Sequence, residues 1–320
     1  MNVFRVSGVF SKFASSSYVY RFNHSKFSTK PDENLSKLQL YAKLCRADKP
    51  IGTYLLFYPS AWSIFLADAS IYEHSKYIIL FGVGSFLMRS FGCIVNDFWD
   101  KDIDSKTART KDRPLASGSV SVSEAVFLLN TLGILGFAIL FQMNKLTIGL
   151  GIFSLIPVIF YPLCKRFINL PQLFLGFTFN YGALIGYGAV TNTFVPEIVL
   201  PLYASGICWT LIYDTIYGFQ DSKDDKRNNV LSSALYFGHN HLGILSKVMF
   251  LQYGLLTLSG YNAGLSLPFY ISSGLIAGIN YRMLQNTDTT KPEKCWNYFV
   301  NNNLLGFSIL ISIISGKIYF

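Results

Sequence analysis

The sequence predicts an all-α membrane protein with about nine transmembrane helices, and three observations support this fold class. The 320-residue chain is 51% hydrophobic and only 14% charged, whereas soluble domains carry about 25% charge. Apolar runs close to the length of a bilayer-spanning helix recur along the chain. Basic residues gather in short clusters between these runs, as is typical of a multi-pass topology.

The first 31 residues differ in composition from the rest of the chain. They contain no Asp or Glu, and they carry scattered basic residues and many serines. An acid-poor, Arg- and Ser-rich start resembles an organellar transit peptide, and an unstructured basic tail is the alternative. We therefore expect a mitochondrial transit peptide or disordered leader over residues 1–35, followed by a membrane domain over residues 36–320.

Apolar runs mark the candidate spanning helices of the membrane domain. A helix surrounded by lipid is apolar nearly all round, so the runs define its position better than an amphipathic period does. In chain order the runs lie near residues 50–68, 77–96, 123–142, 146–163, 171–190, 196–216, 245–261, 263–283 and 298–318.

The connections between these runs alternate in charge. One set is basic, and the other contains little beyond Lys76 and Lys145. With an odd number of helices the basic set falls on one side, which the positive-inside rule assigns to the inner compartment. We therefore expect a multi-pass protein of the mitochondrial inner membrane whose basic side faces the matrix. The separate clusters, unlike one basic stripe, do not predict a nucleic-acid partner.

Four carboxylates end the second apolar run, in the sequence VNDFWDKDID at residues 95–104. On a helix, Asp97, Asp100 and Asp104 share one face because their spacing is i, i+3, i+7, and Asn96 lies beside them. Like charges on one face repel each other, so a cation is needed to neutralise them. Hard oxygen ligands of this kind suit Mg²⁺ that is shared with phosphate. The alternative for one such segment is a solvated, charged loop.

A second acidic segment, DTIYGFQDSKDD at residues 214–225, ends another apolar run on the same expected side. Asp214, Tyr217 and Asp221 repeat the spacing, and Asp225 follows. Two carboxylate faces at one depth can bind a single diphosphate through Mg²⁺, which stabilises the diphosphate as a leaving group. The sequence therefore predicts an active site at the matrix face of the membrane.

Basic residues lie close to both acidic segments. The sequence RTKDRPLASG contributes Arg109 and Arg113, and YPLCKR contributes Tyr161, Lys165 and Arg166. Arginine side chains match the spacing of phosphate or carboxylate oxygens. The alternative is that these residues only mark the inner side of the membrane.

Four sequence blocks resemble, in order, those of the UbiA superfamily of intramembrane prenyltransferases. The resemblance runs from about residue 38 to the C-terminus. In detail, the blocks are similar to those of the subfamily that prenylates 4-hydroxybenzoate in ubiquinone synthesis. The blocks are RADKPIGTYLLFYPSAW (46–62), MRSFGCIVNDFWDKDIDSKTARTKDRPLASG (88–118), YPLCKRFINLPQLFLG (161–176) and DTIYGFQDSKDD (214–225).

The resemblance implies helices around a central cavity in the lipid bilayer, with a polyprenyl diphosphate donor, a 4-hydroxybenzoate acceptor and Mg²⁺ as cofactor. It also implies other enzymes of ubiquinone synthesis as partners, and Lys165 or Arg166 as the residue that binds the acceptor's carboxylate. The implied metal ligands are Asn96, Asp97, Asp100, Asp104, Asp214, Asp221 and Asp225. The implied catalytic residues are Asp100, Asp104, Asp221, Arg109 and Lys165. The implied substrate-binding residues are Arg46, Lys49, Arg113, Tyr161, Arg166 and Tyr217.

One stretch departs from the family pattern. After Asp225 the family continues with a Gly and then Lys-Ser-Thr, whereas KRNNVLSSAL places Asn229, Leu231 and Ser233 at those positions. The missing Lys affects the local loop and one phosphate contact rather than the reaction class.

Two alternative functions stay open at this point. A transporter or channel also carries intramembrane acids, although a carrier places them near the midplane. A related prenyltransferase could use haem, homogentisate or a naphthoate-type acceptor. The apolar runs exclude a soluble isoprenyl synthase, and a membrane scaffold does not explain the acids. The length of the isoprenoid is not encoded in any motif, because generic apolar surface binds such a tail.

Overall fold

The computed structural model describes residues 35–318, and these residues form α-helices and turns without any strand. The expected leader lies outside the described residues except for its last position, so it stays a prediction. The helices are α1 (Lys37–Leu44), α2 (Ile51–Leu66), α3 (Ile71–Asp104), α4 (Val122–Leu140), α5 (Lys145–Phe153), α6 (Leu155–Cys164), α7 (Pro171–Phe179), α8 (Gly182–Thr191), α9 (Pro196–Gly218), α10 (Ser222–Arg227), α11 (Ser233–Phe237), α12 (His241–Asn262), α13 (Leu267–Gln285) and α14 (Pro292–Ile318).

In the described part of the chain, 7 helical segments are long and apolar enough to cross a membrane. Three of these segments each consist of two neighbouring α-helices, namely α5 with α6, α7 with α8, and α11 with α12. Helix α2 is apolar but has only 16 residues, and α13 is not among the seven. The all-α membrane fold is therefore confirmed, whereas the count of nine spanning helices is not.

Helix α3 positions the first acidic segment. Its N-terminus is fixed by a capping box, in which the Ser70 hydroxyl accepts from the Glu73 backbone N–H while the Glu73 carboxylate accepts from the Ser70 N–H. The helix has 34 residues, or about 51 Å at 1.5 Å per residue, against about 30 Å for the hydrocarbon core. Helix α3 must therefore extend beyond the lipid, and its polar residues concentrate in the final stretch, 96–104.

Aromatic side chains join α2, α9 and α14 in the core of the bundle. The indole of Trp62 donates to the carbonyl of Gly306 at 2.9 Å, and the hydroxyl of Tyr58 donates to Asn303 at 2.8 Å. Trp209 on α9 packs against Trp62 with ring centroids 5.1 Å apart. These buried indole and phenol groups have their polar atoms satisfied, so α2 and α14 are closely joined.

We expect Gly306→Ala to destabilise the protein, because a Cβ at this position would lie 2.4 Å from Cδ2 of Tyr58. Overpacking of this kind costs about 1–3 kcal/mol, which a lower midpoint of thermal unfolding in detergent would report. Gly254→Ala in α12 is the matched control, because a Cβ there meets nothing within 4 Å. An unchanged midpoint for Gly306→Ala would contradict the close packing of α2 on α14.

Candidate active site

The acidic ends of α3 and α9 meet at one site. Asp97, Asp100 and Asp104 lie on one face of α3, and all three are buried. Arg109, in the loop after α3, reaches across to the second acidic segment: its Nε donates to Oδ1 of Asp221 at 2.8 Å. A terminal nitrogen of the same guanidinium lies 2.5 Å from Oδ2 of Asp221. The structure therefore brings together the two segments that the sequence predicts to share a site.

Each buried carboxylate on α3 has a basic partner from another segment. Arg46 binds Asp97 in a forked arrangement, with one terminal nitrogen 2.6 and 2.8 Å from its two oxygens. Arg113 contacts Asp104 at 2.7 Å and Asp97 at 3.2 Å. Lys165, at the end of α6, forms an ion pair with Asp100. A buried carboxylate needs such a partner, because removing a charge from water is costly.

The backbone of Arg46 is unusual for its residue type. Its φ of 58° lies in the left-handed region, which costs a residue with a Cβ roughly 1–2 kcal/mol. Arg46 directly follows Cys45, the C-cap of α1, a position that glycine commonly occupies. The left-handed turn ends α1, and the Arg46 side chain reaches Asp97.

Tyr217 and Asp225 complete the α9 side of the site. Arg109 donates to the Tyr217 hydroxyl at 3.0 Å and lies 5.3 Å from the centre of its ring. Burial, together with the neighbouring charge of Asp221, raises the pKa of Asp225 to about 7. Asp214 lies on α9 and is half-buried, whereas Asp221 follows the end of α9 and caps α10. This side of the site therefore combines an aromatic face with carboxylates in different environments.

The remaining sequence-predicted residues lie around this centre. The hydroxyl of Tyr161 donates to Asn96 at 3.2 Å, and Arg166 donates to the carbonyl of Trp99 at 2.5 Å. Lys49 is exposed, forms no ion pair within the described residues, and lies within electrostatic reach of Arg46, Arg109 and Arg113. Lys49 is thus available to an anionic ligand, whereas Arg166 is engaged by the end of α3.

The departure from the family pattern after Asp225 has a local structural solution. Asn229 has a φ of 53°, and asparagine tolerates this left-handed conformation better than most residues with a side chain. The backbone N–H of Leu231 then donates to the carbonyl of Lys165 at 2.9 Å. The loop therefore packs against the end of α6 without the family's Gly and Lys.

Sequence reasoning missed Arg89 as a candidate site residue. It lies on α3 and lines an apolar cavity of about 200 Å³, where Tyr161 and Phe179 are also exposed to the cavity. Its Nε is buried without a hydrogen-bond partner among the described residues, and its guanidinium lies 5.2 Å from the centre of the Phe179 ring. An ionisable residue within a spanning helix is by default a functional candidate. The sequence signal that would have identified Arg89 is therefore its position as the lone Arg in the apolar run near 77–96.

The donor set fits a hard divalent cation. Within residues 35–318, no group of three or more His, Cys, Asp or Glu side chains is close enough to form a metal site by itself, since the carboxylates pair with Arg and Lys. The available donors are nevertheless all oxygen atoms, the type that Mg²⁺ prefers. One of them, Oδ1 of Asp100, is buried without any hydrogen-bond partner in the described part of the chain. The expected metal ligands therefore remain a chemically consistent prediction.

Comparison with known proteins identifies the family. Residues 56–308 match the UbiA prenyltransferase family. The chain is 42% identical over 283 residues to the Homo sapiens mitochondrial 4-hydroxybenzoate polyprenyltransferase, covering 88% of this chain and 76% of that protein. It is 45% identical over 278 residues to the Arabidopsis thaliana protein of the same name, covering 87% and 68% of the two chains.

Solved structures show the same fold at lower sequence identity. The apo structure of a UbiA homolog from Aeropyrum pernix K1 has a TM-score of 0.63 at 22% identity, covering 84% of this chain and 97% of that chain. A UbiA homolog from Archaeoglobus fulgidus bound to GPP and Mg²⁺ has a TM-score of 0.64 at 16% identity, covering 86% and 99%. From the family match, the relatives and the joined acidic helix ends, we conclude that this chain belongs to the UbiA prenyltransferase family.

Proposed function

We propose that this protein transfers a polyprenyl group from a polyprenyl diphosphate to 4-hydroxybenzoate, ortho to the hydroxyl, in ubiquinone synthesis. The observation that carries the proposal is the contact between the two acidic segments beside an apolar cavity. Tyr161 lines this cavity and donates to Asn96, and Arg89 lines it with an Nε that has no hydrogen-bond partner among the described residues. The relatives named 4-hydroxybenzoate polyprenyltransferase, mitochondrial, support the acceptor and the location. We place the site at the matrix face of the inner membrane, where the basic connections also lie.

The acidic and basic residues around α3 and α9 would bind the diphosphate. The carboxylates of Asp97, Asp100, Asp104, Asp214, Asp221 and Asp225, with Asn96, would hold Mg²⁺. The bound ions would neutralise the diphosphate and make it a better leaving group. Lys49, Arg109 and Arg113 supply positive charge to its oxygens. Because Asp100 and Asp221 now pair with Lys165 and Arg109, these ion pairs would rearrange when Mg²⁺ and the donor bind.

The acceptor would bind deeper in the membrane than the diphosphate. Arg89 precedes Asn96 by seven residues on α3, or about 10 Å along the helix axis, and no carboxylate lies within ion-pair distance of it among the described residues. A buried, unpaired guanidinium calls for an anion. The carboxylate of 4-hydroxybenzoate is the anion of matching charge, and Arg89 can bind it while Lys165 and Arg166 engage α3.

The aromatic and apolar residues around the cavity favour ionisation of the donor. The C–O bond to the diphosphate breaks, and the allylic cation that forms is stabilised by facing aromatic rings such as Tyr161 and Phe179. The ring carbon ortho to the phenol hydroxyl forms the new C–C bond, and loss of the ring proton restores aromaticity. Apolar helix walls exclude water, which would otherwise capture the cation.

We expect membranes that contain the protein to prenylate 4-hydroxybenzoate when a polyprenyl diphosphate and Mg²⁺ are supplied, and to lose this activity with a chelator. Chromatography with mass spectrometry would detect the ring-prenylated product, and excess Mg²⁺ should restore it. Product formation with homogentisate or a naphthoate, but not with 4-hydroxybenzoate, would reassign the acceptor. Ion flux in liposomes without any prenylated product would favour a transporter instead.

A further inference from the structure

Two basic residues, Lys247 on α12 and Arg282 on α13, lie on the outer surface of the helical bundle. Both are exposed, and neither forms an ion pair among the described residues. The acid nearest to Arg282 in the sequence, Asp288, is already paired with Lys291 at 3.3 Å. Lys247 lies inside one of the segments that are long and apolar enough to cross a membrane, Ser233–Asn262. A cation on a lipid-facing surface is costly unless an anion neutralises it.

Two contacts between α12 and α13 place these cations at the same depth. The side chain of Gln285 donates from Nε2 to the Ser246 hydroxyl at 2.9 Å. The rings of Phe250 and Tyr281 lie with their centroids 6.1 Å apart. In the sequence, each cation lies between the two contact residues of its own helix. Because the helices run antiparallel, the two contacts bracket both cations at one level of the bundle.

This level lies close to the acidic end of the bundle. His241, the first residue of α12, packs its ring on Phe219 with centroids 4.5 Å apart. Phe219 is the C-cap of α9, which carries the second acidic segment. Lys247 follows His241 by six residues, or about 9 Å along the helix axis. A long basic side chain at this depth can extend its charge to the lipid headgroups while its stem stays in apolar surroundings.

The surface around the cations has a polar end and an apolar end. Beside Lys247, a shallow pocket of about 420 Å³ is lined by His239, Asn240, Gly243, Ile244 and Lys247. Toward the middle of the bundle, large apolar side chains are exposed on both helices, namely Phe250, Leu251, Leu258, Leu275 and Ile279. This face therefore matches a molecule with an anionic head and hydrocarbon chains.

We propose that the α12–α13 face binds one anionic phospholipid, with its phosphate held by Lys247 and Arg282 and its acyl chains on the apolar surface. Basic pockets between helices at the inner side of a membrane bind headgroups of this kind. Charge complementarity favours this occupant over a second copy of the chain, because a copy docked through the same face would bring like charges together. The lipid site does not depend on the proposed reaction.

Native mass spectrometry of the detergent-purified full chain, titrated with cardiolipin, tests the site. We expect Lys247→Gln and Arg282→Gln each to weaken cardiolipin binding about fivefold, and the double variant about 30-fold. Lys247→Arg and Arg282→Lys keep the charges and should bind as the wild type does. The matched control is Lys223→Gln, which removes an exposed charge from α10 at the same end of the bundle and should not weaken binding. Thermal unfolding in lipid-free detergent should be unchanged in all variants, because these side chains are exposed.

Three comparisons identify the occupant. Phosphatidylcholine with the same acyl chains should bind at least about tenfold more weakly than cardiolipin, and inorganic phosphate should not compete. Cardiolipin with a diazirine at the start of an acyl chain should crosslink to Phe250 or Tyr281. Equal binding of phosphatidylcholine, displacement by inorganic phosphate, or unchanged affinity of the double variant would each overturn the proposal. A dimer that buries this face and excludes cardiolipin would also overturn it, and would assign the face to a second copy.

Discussion

Replacing Asp100 with asparagine is expected to abolish prenyl transfer while the protein remains folded in the membrane. Asparagine has nearly the same shape, but it carries no charge to balance Lys165, with which Asp100 forms an ion pair. It also replaces Oδ1 or Oδ2 with an amide nitrogen, which is not a ligand for Mg²⁺. Groups that stabilise charge in the transition state are worth about 10²- to 10³-fold each, so turnover should fall by at least that factor.

Asp102→Asn is the matched control for this prediction. Asp102 lies on the same helix and loses the same charge, but it is exposed and its side chain forms no ion pair within the described residues. Asp221→Asn tests the other acidic helix end, because it frees Arg109. Membrane abundance and thermal unfolding would separate lost chemistry from lost folding. Near-normal turnover of Asp100→Asn or Asp221→Asn would contradict the assignment of a shared diphosphate site.

The second large effect is expected from Arg89→Met, which removes the buried charge but retains an apolar side chain of similar length. A hydrogen bond to a charged group contributes about 1.5–3 kcal/mol, so KM for 4-hydroxybenzoate should rise about 10- to 100-fold. The methyl ester of 4-hydroxybenzoate has no carboxylate, so its KM should change little. Steady-state kinetics with both acceptors would therefore show that the variant discriminates less between acid and ester.

Two further variants sharpen this test. Lys76→Met removes an exposed charge from the distant end of α3 and should leave both acceptors unaffected. Gly52→Ala keeps the charge of Arg89 but displaces it, since a Cβ at Gly52 would lie 2.6 Å from its Nε. We expect Gly52→Ala to raise KM for the acid by less than Arg89→Met does. Equal losses with acid and ester would assign Arg89 to the diphosphate or to folding.

The local pattern of the first acidic segment predicted which carboxylates share one helix face. The i, i+3, i+7 spacing placed Asp97, Asp100 and Asp104 on one face, and the structure buries all three. This prediction was possible because, on a helix, the sequence spacing alone determines which residues share a face, whatever the rest of the chain does. The partners of these residues were not predictable in the same way. Arg46 and Asp97 are 51 residues apart, and only the packed fold brings them together.

The helix boundaries show a similar limit. The apolar run at 146–163 suggested one helix, but the structure ends α5 at Phe153 and begins α6 at Leu155. Pro157 lacks the N–H that would donate to the carbonyl of Phe153, which weakens a continuous helix at this point. The run at 171–190 is likewise divided, where the Asn180 side chain donates to the carbonyl of Gly176. Hydropathy reports burial in lipid and does not register such interruptions.

The left-handed backbone of Arg46 has a consequence for protein engineering. A glycine would adopt the same φ of 58° without steric conflict, so Arg46→Gly could relieve about 1 kcal/mol of strain. Among the described residues, it would also leave Asp97 with the Arg113 ion pair alone, at 3.2 Å. Removing one partner of a buried ion pair costs about 3–5 kcal/mol, which is more than the strain that glycine relieves. At this position, the stability of the fold and the charge contact of the candidate site therefore favour the same residue.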